Sequence, residues 1–545
     1  MSDIPSYLTD HRLTRKEVLR LGGGLGAAVA LGGGLEVMRT AAARAATRSG
    51  TLRVGIPNDV SGWDFDYIAF DLTTIMVLKN TYPFAIDYGL KRVGRALVAD
   101  TQHYVPVFAE SFKPDKSQKV WTLRMRRGLR WPSGNLITAE DVKWSKDRAF
   151  PAHANVAGIY RLIGLTHPSQ IELVDDRTVR FHQAFPSVLT PQVQIISLFL
   201  FDSKLLKRHA TPSDPWAKAW TMANPQDGGA YNVASYTAGE SLTLKANPDF
   251  PVGKPSIKTI EMSIISAPAN MRLQLQKGNI DVALGLSPND IQQLANVKGV
   301  KIISIPSNQQ AVIQLNVKQA PLNNVLVRRA LAFAVPYQQI IRQVFHGDAR
   351  TDRSLIPIDT PGYIPSYPYR YDLGQARSLL ARAGHRNGFS SELVIAAGDV
   401  QQQQIAILVQ NEFKKIGVDV QITQLDPATL STRRQKKDIP MQVTVGGAWV
   451  NDIGYELSID LTKQAFLNYS NYVNPTIERI FAKLLKTTNE TKRLRMSRQV
   501  QQILGRDVPW LVLGQPNYRL PVRAGVSNFV LTPDQLARFR YMRVA

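Results

Sequence analysis

The chemistry-bearing residues of this chain are eight histidines, scattered carboxylates and a dense run of arginines. The histidines are His11, His103, His153, His167, His182, His209, His346 and His385. The closest two are fourteen positions apart, so none lie one helical turn from each other, as a local metal site needs. Asp175-Asp176 is a candidate acid pair, but adjacent carboxylates fit a turn better than a general acid and base held face to face. A G-x-S-x-G nucleophile turn and a G-x-x-x-x-G-K-[ST] phosphate loop are both missing; Gly253-Lys254 runs into Pro255 and has no upstream glycine. With no cysteine there is no thiol nucleophile, thiolate metal site, disulfide or lipid-bearing N-terminal cysteine. The expectation is a protein with no catalytic residue, metal or cofactor. Catalytic residues scattered along the chain stay open at this point.

Charge raises a second chemistry. Lys and Arg number 66 against 43 Asp and Glu, a net charge of +23. The first fifty residues hold seven basic and four acidic side chains, so most of the excess lies beyond them. The densest stretch, Lys119 to Arg130, places arginines on the outer side of a strand without aromatic residues between them. Single-stranded nucleic acid needs such a stacking platform, so the run reads as a solvated basic face and no nucleic-acid partner is expected. Steering of anionic partners rests on charge alone.

The elements that must position any site follow from periodicity. A chain of 545 residues is long enough for two or three domains, and 44% hydrophobic with 20% charged residues is ordinary globular composition. Trp121, Leu123 and Met125 alternate with polar neighbours, a strand with one apolar face. Thr138 with Asp141 three residues on is a capping signal, so a helix begins at Ala139. Asn324 leads a helix over Val325 to Val335, Pro336 opens another, and Gly347 follows its end. Gln401 to Ile416 reads as a helix stopped by Gly417 and feeding the strand Val418, Val420, Ile422. Asn474-Pro475 opens a further helix, and Thr491 to Leu504 forms one closed by Gly505. The sum is an α/β protein of two lobes, without repeats of solenoid period or a low-complexity linker.

Residues 1–45 read as an export signal. Arg12, Arg15, Lys16 and Arg20 precede the uncharged run Leu21 to Leu35, and Ala43-Arg44-Ala45 resembles a cleavage site. That run is 15 residues, roughly 22 Å as a helix at about 1.5 Å per residue, and seven of its residues are glycine. It is too short for a bilayer core of about 30 Å. Thr14-Arg15-Lys16-Glu17-Val18-Leu19-Arg20 resembles a twin-arginine signal with Lys16 in place of the second arginine, and general secretion is the alternative route. The expected location is the bacterial periplasm.

The stretch Trp121 to Ser145, WTLRMRRGLRWPSGNLITAEDVKWS, closely resembles a segment of the family 5 extracellular solute-binding proteins, the oligopeptide-, dipeptide- and nickel-type receptors of ABC importers. Its pattern there runs W-x-F-x-L-R-x-G-V-x-F-x-D-G-x-P-x-T-A-x-D-V-x-x-S. Further matches follow in order. Asp227-Gly-Gly-Ala-Tyr231 is similar to the G-T-G-P-Y turn, Asn247-Pro-Asp-Phe250 to N-P-x-Y, and Leu275 to Asp281 to L-x-x-G-x-I-D. Leu315 to Ala332 resembles the segment ending V-R-x-A-L; Tyr371-Asp372 with Ala383-Gly384 matches the next, and Asn474-Pro475 with Arg493 and Pro509 the C-terminal pattern. The likeness covers roughly residues 51 to 530.

The resemblance implies an α/β fold, type II periplasmic binding protein-like, of two lobes closing over a ligand. One lobe would hold 51–310 plus 516–545, with an inserted subdomain at about 86–185, and the other 311–515. It implies a non-catalytic monomeric receptor that delivers a peptide or peptide-like solute to ABC importer permease subunits driven by separate ATPase subunits. The implied ligand contacts are Ala448, Trp449, Val450 and Asp452, matching a G-W-x-x-D strand in which the aspartate pairs with the ligand ammonium and the backbone near the tryptophan bonds the peptide. Ala448 replaces the glycine, and Tyr455-Glu456 replaces the usual D/E-P. Read without the resemblance, Trp449 is a packed indole and Asp452 a helix cap. A receptor of the same fold for an opine, an oligosaccharide or a metal chelate is one rival, and a periplasmic hydrolase another.

Overall fold

The computed structural model describes residues 50–68, 71–94, 96–151 and 155–545; the expected export signal, residues 1–45, lies outside them. Two sheets organise the chain. The first has seven strands, in the order Val300–Ile305, Tyr518–Arg523, Val282–Ala283, Thr51–Ile56, Thr259–Ile264, Ser241–Ala246 and Tyr231–Thr237. Thr51–Ile56 runs parallel to Thr259–Ile264 with Val54 opposite Met262, and Tyr518–Arg523 runs antiparallel to Val300–Ile305 with Leu520 opposite Ile303. The second has six strands, in the order Ala349–Arg350, Trp510–Pro516, Gln310–Leu315, Met441–Gly446, Phe389–Ala396 and Val418–Leu425.

Each sheet builds its own apolar core. Leu52, Val54, Ile260 and Met262 are sealed in one, Ile313, Leu393, Val443 and Leu511 in the other. At about 25 cal/mol per Å² of apolar surface removed from water, cores of this size supply the main folding drive of each lobe. The basic run noted above is the strand Val120–Met125 in a four-stranded sheet with Ala109–Pro114, Thr178–His182 and Ile171–Leu173. Its inner residues Trp121, Leu123 and Met125 join the first core, while Arg124 is exposed.

Local signals account for the helices. Ala139–Ala149 starts where Asp141 accepts from the backbone N–H of Thr138 at 2.8 Å. Val325–Ala334 is capped by Asn324, and Tyr337–Gln343 follows Pro336. The helix expected over 401–416 is Val400–Lys414, capped by Asp399, and its strand Val418–Leu425 pairs in parallel with Phe389–Ala396. One boundary is corrected. The last long helix spans Glu490–Asp507 and passes through Gly505 instead of ending there. Gly505 is needed inside the helix because a Cβ there would meet the Ser366 carbonyl oxygen at 2.0 Å. The helix ends at Val508, which takes the left-handed conformation at φ 49° ahead of Pro509.

The chain crosses between the lobes at residues 306–309 and again at Pro516-Asn517. Ser307 donates to the Pro516 carbonyl at 2.7 Å, so the two crossovers lie side by side. A third segment, 447–452, leaves the second sheet and buries Ala448 and Val450 in the first core. It runs close to the first crossover, where a Cβ on Gly447 would sit 2.9 Å from the Asn308 carbonyl oxygen.

Candidate functional site

Between the lobes lies a cleft of about 910 Å³. Two helices open onto it, one from each lobe. Leu72–Thr81 is capped by Asp71, which accepts from Thr73 N and Thr74 N at 3.0 and 3.3 Å. Val400–Lys414 is capped by Asp399, which accepts from Gln402 N at 2.9 Å. Asp71 and Asp399 line the cleft together with the loop after the first strand, Pro57-Asn58, and with Arg519. A concave site walled from two lobes, with polar and apolar groups interspersed, suits a small solute.

The four residues expected to touch ligand part company. Ala448 and Val450 keep only 5% and 1% of their surface exposed, and both belong to the first core. Their carbonyls are engaged as well: Asn308 donates to Ala448 O at 2.6 Å and Asp452 N to Val450 O at 2.9 Å. Trp449 is half-buried and packs against that core. Asp452 lines a smaller pocket of about 300 Å³, walled by Tyr88, Thr101 and Gln192 from the first lobe and by Asn451 and Arg493 from the second.

Asp452 caps the short helix Ile453–Glu456, its Oδ1 accepting from Gly454 N at 2.7 Å. Arg493 Nη2 donates to the same Oδ1 at 2.8 Å and to Oδ2 at 2.7 Å. A carboxylate offers about four acceptor directions, so one on Oδ2 is left for a further donor. Below it, Glu456 is buried and pushed well above the usual carboxylate range by burial, with Asp460 and Asp452 adding to the effect. Asp460 is pushed up to about 7 by burial. Of these three acids, Asp452 is the one with a cation beside it.

Sequence reading placed Arg493 in a family pattern but not beside Asp452. The signal was its helix position: Arg493, Ser497, Val500, Gln501 and Leu504 form the buried face of Glu490–Asp507. An arginine on such a face requires a counter-charge or carbonyls, and Arg493 has both, since Leu484 O and Thr487 O accept at 2.6 and 3.1 Å.

The family model for bacterial extracellular solute-binding proteins, family 5, matches residues 103–466, more than half of the chain. The chain belongs to this family. Among its curated relatives, the dipeptide-binding protein of Escherichia coli is 28% identical over 465 residues, covering 79% of this chain and 85% of that one. The "Probable D,D-dipeptide-binding periplasmic protein DdpA" of Escherichia coli is 27% identical over 436 residues, covering 78% and 82%. Among solved structures, the periplasmic binding protein DppA of Helicobacter pylori in complex with peptide STSA superposes with a TM-score of 0.78 at 21% identity, covering 91% of this chain and 98% of that one. MoaA of A. tumefaciens in complex with mannopinic acid gives a TM-score of 0.76 at 21% identity, covering 91% and 99%. The two lobes and their cleft are therefore the family 5 binding fold. Among the described residues no helix is long and apolar enough to cross a membrane.

Proposed function

We propose that this chain is a periplasmic receptor that captures a peptide or peptide-like solute and hands it to an ABC importer, without chemical conversion. The observation that carries this is the cleft of about 910 Å³ lined from both lobes, in a chain of the solute-binding family. A solute touching both walls favours the closed arrangement by its differential affinity, with residues 306–309 and Pro516-Asn517 absorbing the motion. In this reading the moving bodies are 51–310 plus 516–545 and 311–515. Relatives named for dipeptides support the solute class. For Asp452 to contact the solute ammonium through its remaining acceptor direction, the solute has to reach the smaller pocket that Asp452 lines, since neither Asp452 nor Trp449 lines the large cleft.

A second reading has its own support. Arg493 already supplies Asp452 with a cation, and a structural neighbour is described with mannopinic acid, so a solute without a free primary ammonium group is the competitor. Thermal melting against dipeptides, tetrapeptides and opines separates the two. A binder of the native state alone raises stability by about 2.7 kcal/mol at a hundredfold excess over Kd. Stabilisation by opines and not by peptides would overturn the peptide assignment, and steady conversion of the bound solute would overturn the receptor assignment.

A further inference from the structure

Away from the cleft, a pocket of about 450 Å³ forms where the helix Tyr337–Gln343, the segments 351–353 and 369–371, and the last turn of Val400–Lys414 meet. It shares no lining residue with either pocket described above. Val400 opens onto the cleft and Glu412 onto this pocket, about 18 Å further along the same helix. Its volume falls within the range of small-molecule sites, about 300–1,000 Å³. Rings form part of the wall. Tyr337, Tyr369 and Tyr371 line it, and each spends its hydroxyl on the protein: Tyr337 donates to Ala332 O at 2.6 Å, Tyr369 to Gly505 O at 3.1 Å, and Tyr371 to Glu412. What they offer a guest is chiefly their rings, and that of Tyr371 is well exposed.

The charges around this pocket are unbalanced. Arg342, Arg353 and Arg370 line it, and none of the three guanidiniums forms an ion pair or hydrogen bond with the described residues. All three can be reached from solvent: Arg342 and Arg370 are exposed, and Arg353 is half-buried. The two acids in the wall already answer to protein donors. Asp352 accepts from Gln310, Ser354 N and Tyr363, and Glu412 from Tyr371 and Lys415. A lone exposed arginine needs nothing but water. Three of them around one aromatic-walled hollow supply planar donor forks that suit an anion, and flat faces on which a ring can stack. We infer that this pocket binds a small aromatic anion, its ring among the tyrosines and its carboxylate or phosphate on the arginines. The site is separate from the cleft, and its existence does not depend on the receptor reading.

Calorimetric titration of the purified protein tests this, with indole-3-carboxylate and phenyl phosphate as probes. Indole-3-carboxamide, which lacks the charge, and acetate, which lacks the ring, are the controls. At least one aromatic anion is expected to bind with a Kd of about a millimolar or tighter, and at least about tenfold better than either control. Whichever probe binds better assigns the anionic group, and either one supports the inference. The double variant Arg342→Gln with Arg370→Gln, both at exposed positions, is expected to lose about tenfold or more in affinity, and Tyr371→Ala several-fold. Arg124→Gln with Arg127→Gln removes the same two charges from the exposed strand end of the first lobe and is expected to leave binding unchanged. Absence of binding by both aromatic anions overturns the inference without needing any variant, as does a carboxamide that binds equally well. Full affinity in the Arg342 and Arg370 double variant places the probe elsewhere, and an equal loss in the Arg124 and Arg127 pair reduces the attraction to net charge; either result overturns the site.

Discussion

Arg148 Nη2 donates to Asp64 Oδ2 across 2.6 Å, and both side chains are wholly without exposed surface. Nη1 completes the fork to Asp64 Oδ1 at 3.0 Å and reaches Asp66 Oδ2 at the same distance. Thr221 adds its hydroxyl to Asp64. The loop after the first strand is thus tied to the helix Ala139–Ala149 through Arg148 and to the helix Lys218–Ala223 through the carboxylate of Asp64. Removing one member of a buried ion pair typically costs about 3–5 kcal/mol, because the partner stays buried and uncompensated. Arg148→Met is expected to destabilise the fold by that order, read as a lower urea midpoint. Adding Asp64→Asn and Asp66→Asn should restore part of the loss; if the triple variant is no more stable than Arg148→Met, the ion-pair account is wrong.

Asp452→Asn separates two roles. The amide oxygen still accepts from Gly454 N, and Arg493 keeps Leu484 O and Thr487 O, so the loss of charge pairing is expected to cost about 1–3 kcal/mol with no solute present. If Asp452 also meets a solute ammonium, affinity for that solute falls in addition, and N-acetylating the solute reproduces the drop without adding to it. Calorimetric titration of wild type and variant with free and acetylated forms reads both effects.

Asp227 has one carboxylate oxygen bonded to Val233 N at 2.9 Å and the other buried without a partner, and burial pushes its pKa up to about 7. Between about pH 4 and 7 the unfolded chain releases this proton while the fold retains it, so folding stability falls as pH rises through that window. Asp227→Asn is expected to be more stable than wild type at pH 8, with the gap closing towards pH 4. Melting curves across that range measure it. A gap that widened on acidification would contradict the burial account.

Gly505→Ala sets helix propensity against packing. Alanine gains about 1 kcal/mol in a helix interior, but its Cβ would press on the Ser366 carbonyl at 2.0 Å, and overpacking typically costs about 1–3 kcal/mol. The obstruction is backbone, so the cost is expected to win and the urea midpoint to drop. A variant as stable as wild type would mean that the segment around Ser366 yields freely.

The same glycine shows where reading the sequence stops. Caps and alternation are local: Thr138 with Asp141, Asn324, and the Trp121 strand each declare their element within a few residues, and the structure places those elements there. Gly505 looks like a helix terminator because its other role depends on Ser366, far away in sequence. The site has this long-range character throughout. Asp452 stood out through the resemblance to a G-W-x-x-D strand, but its partner Arg493 lies 41 positions on, and Arg519 meets Asp348 only because a late strand returns to the first sheet. Single-sequence patterns carry no information on such pairings, whereas the lobes themselves were legible from alternating strands and helices.

That late strand has a consequence for how the protein is made. Val300–Ile305 is joined to the rest of its sheet solely through Tyr518–Arg523, which is synthesised about two hundred residues later. Asn80, in an early helix, likewise waits to bond the backbone of Ala537 and Phe539. The first lobe therefore cannot close around a growing chain on the ribosome. Its sheet is completed only once Tyr518–Arg523 has been made, so a route that accepts only folded cargo has to act after that strand.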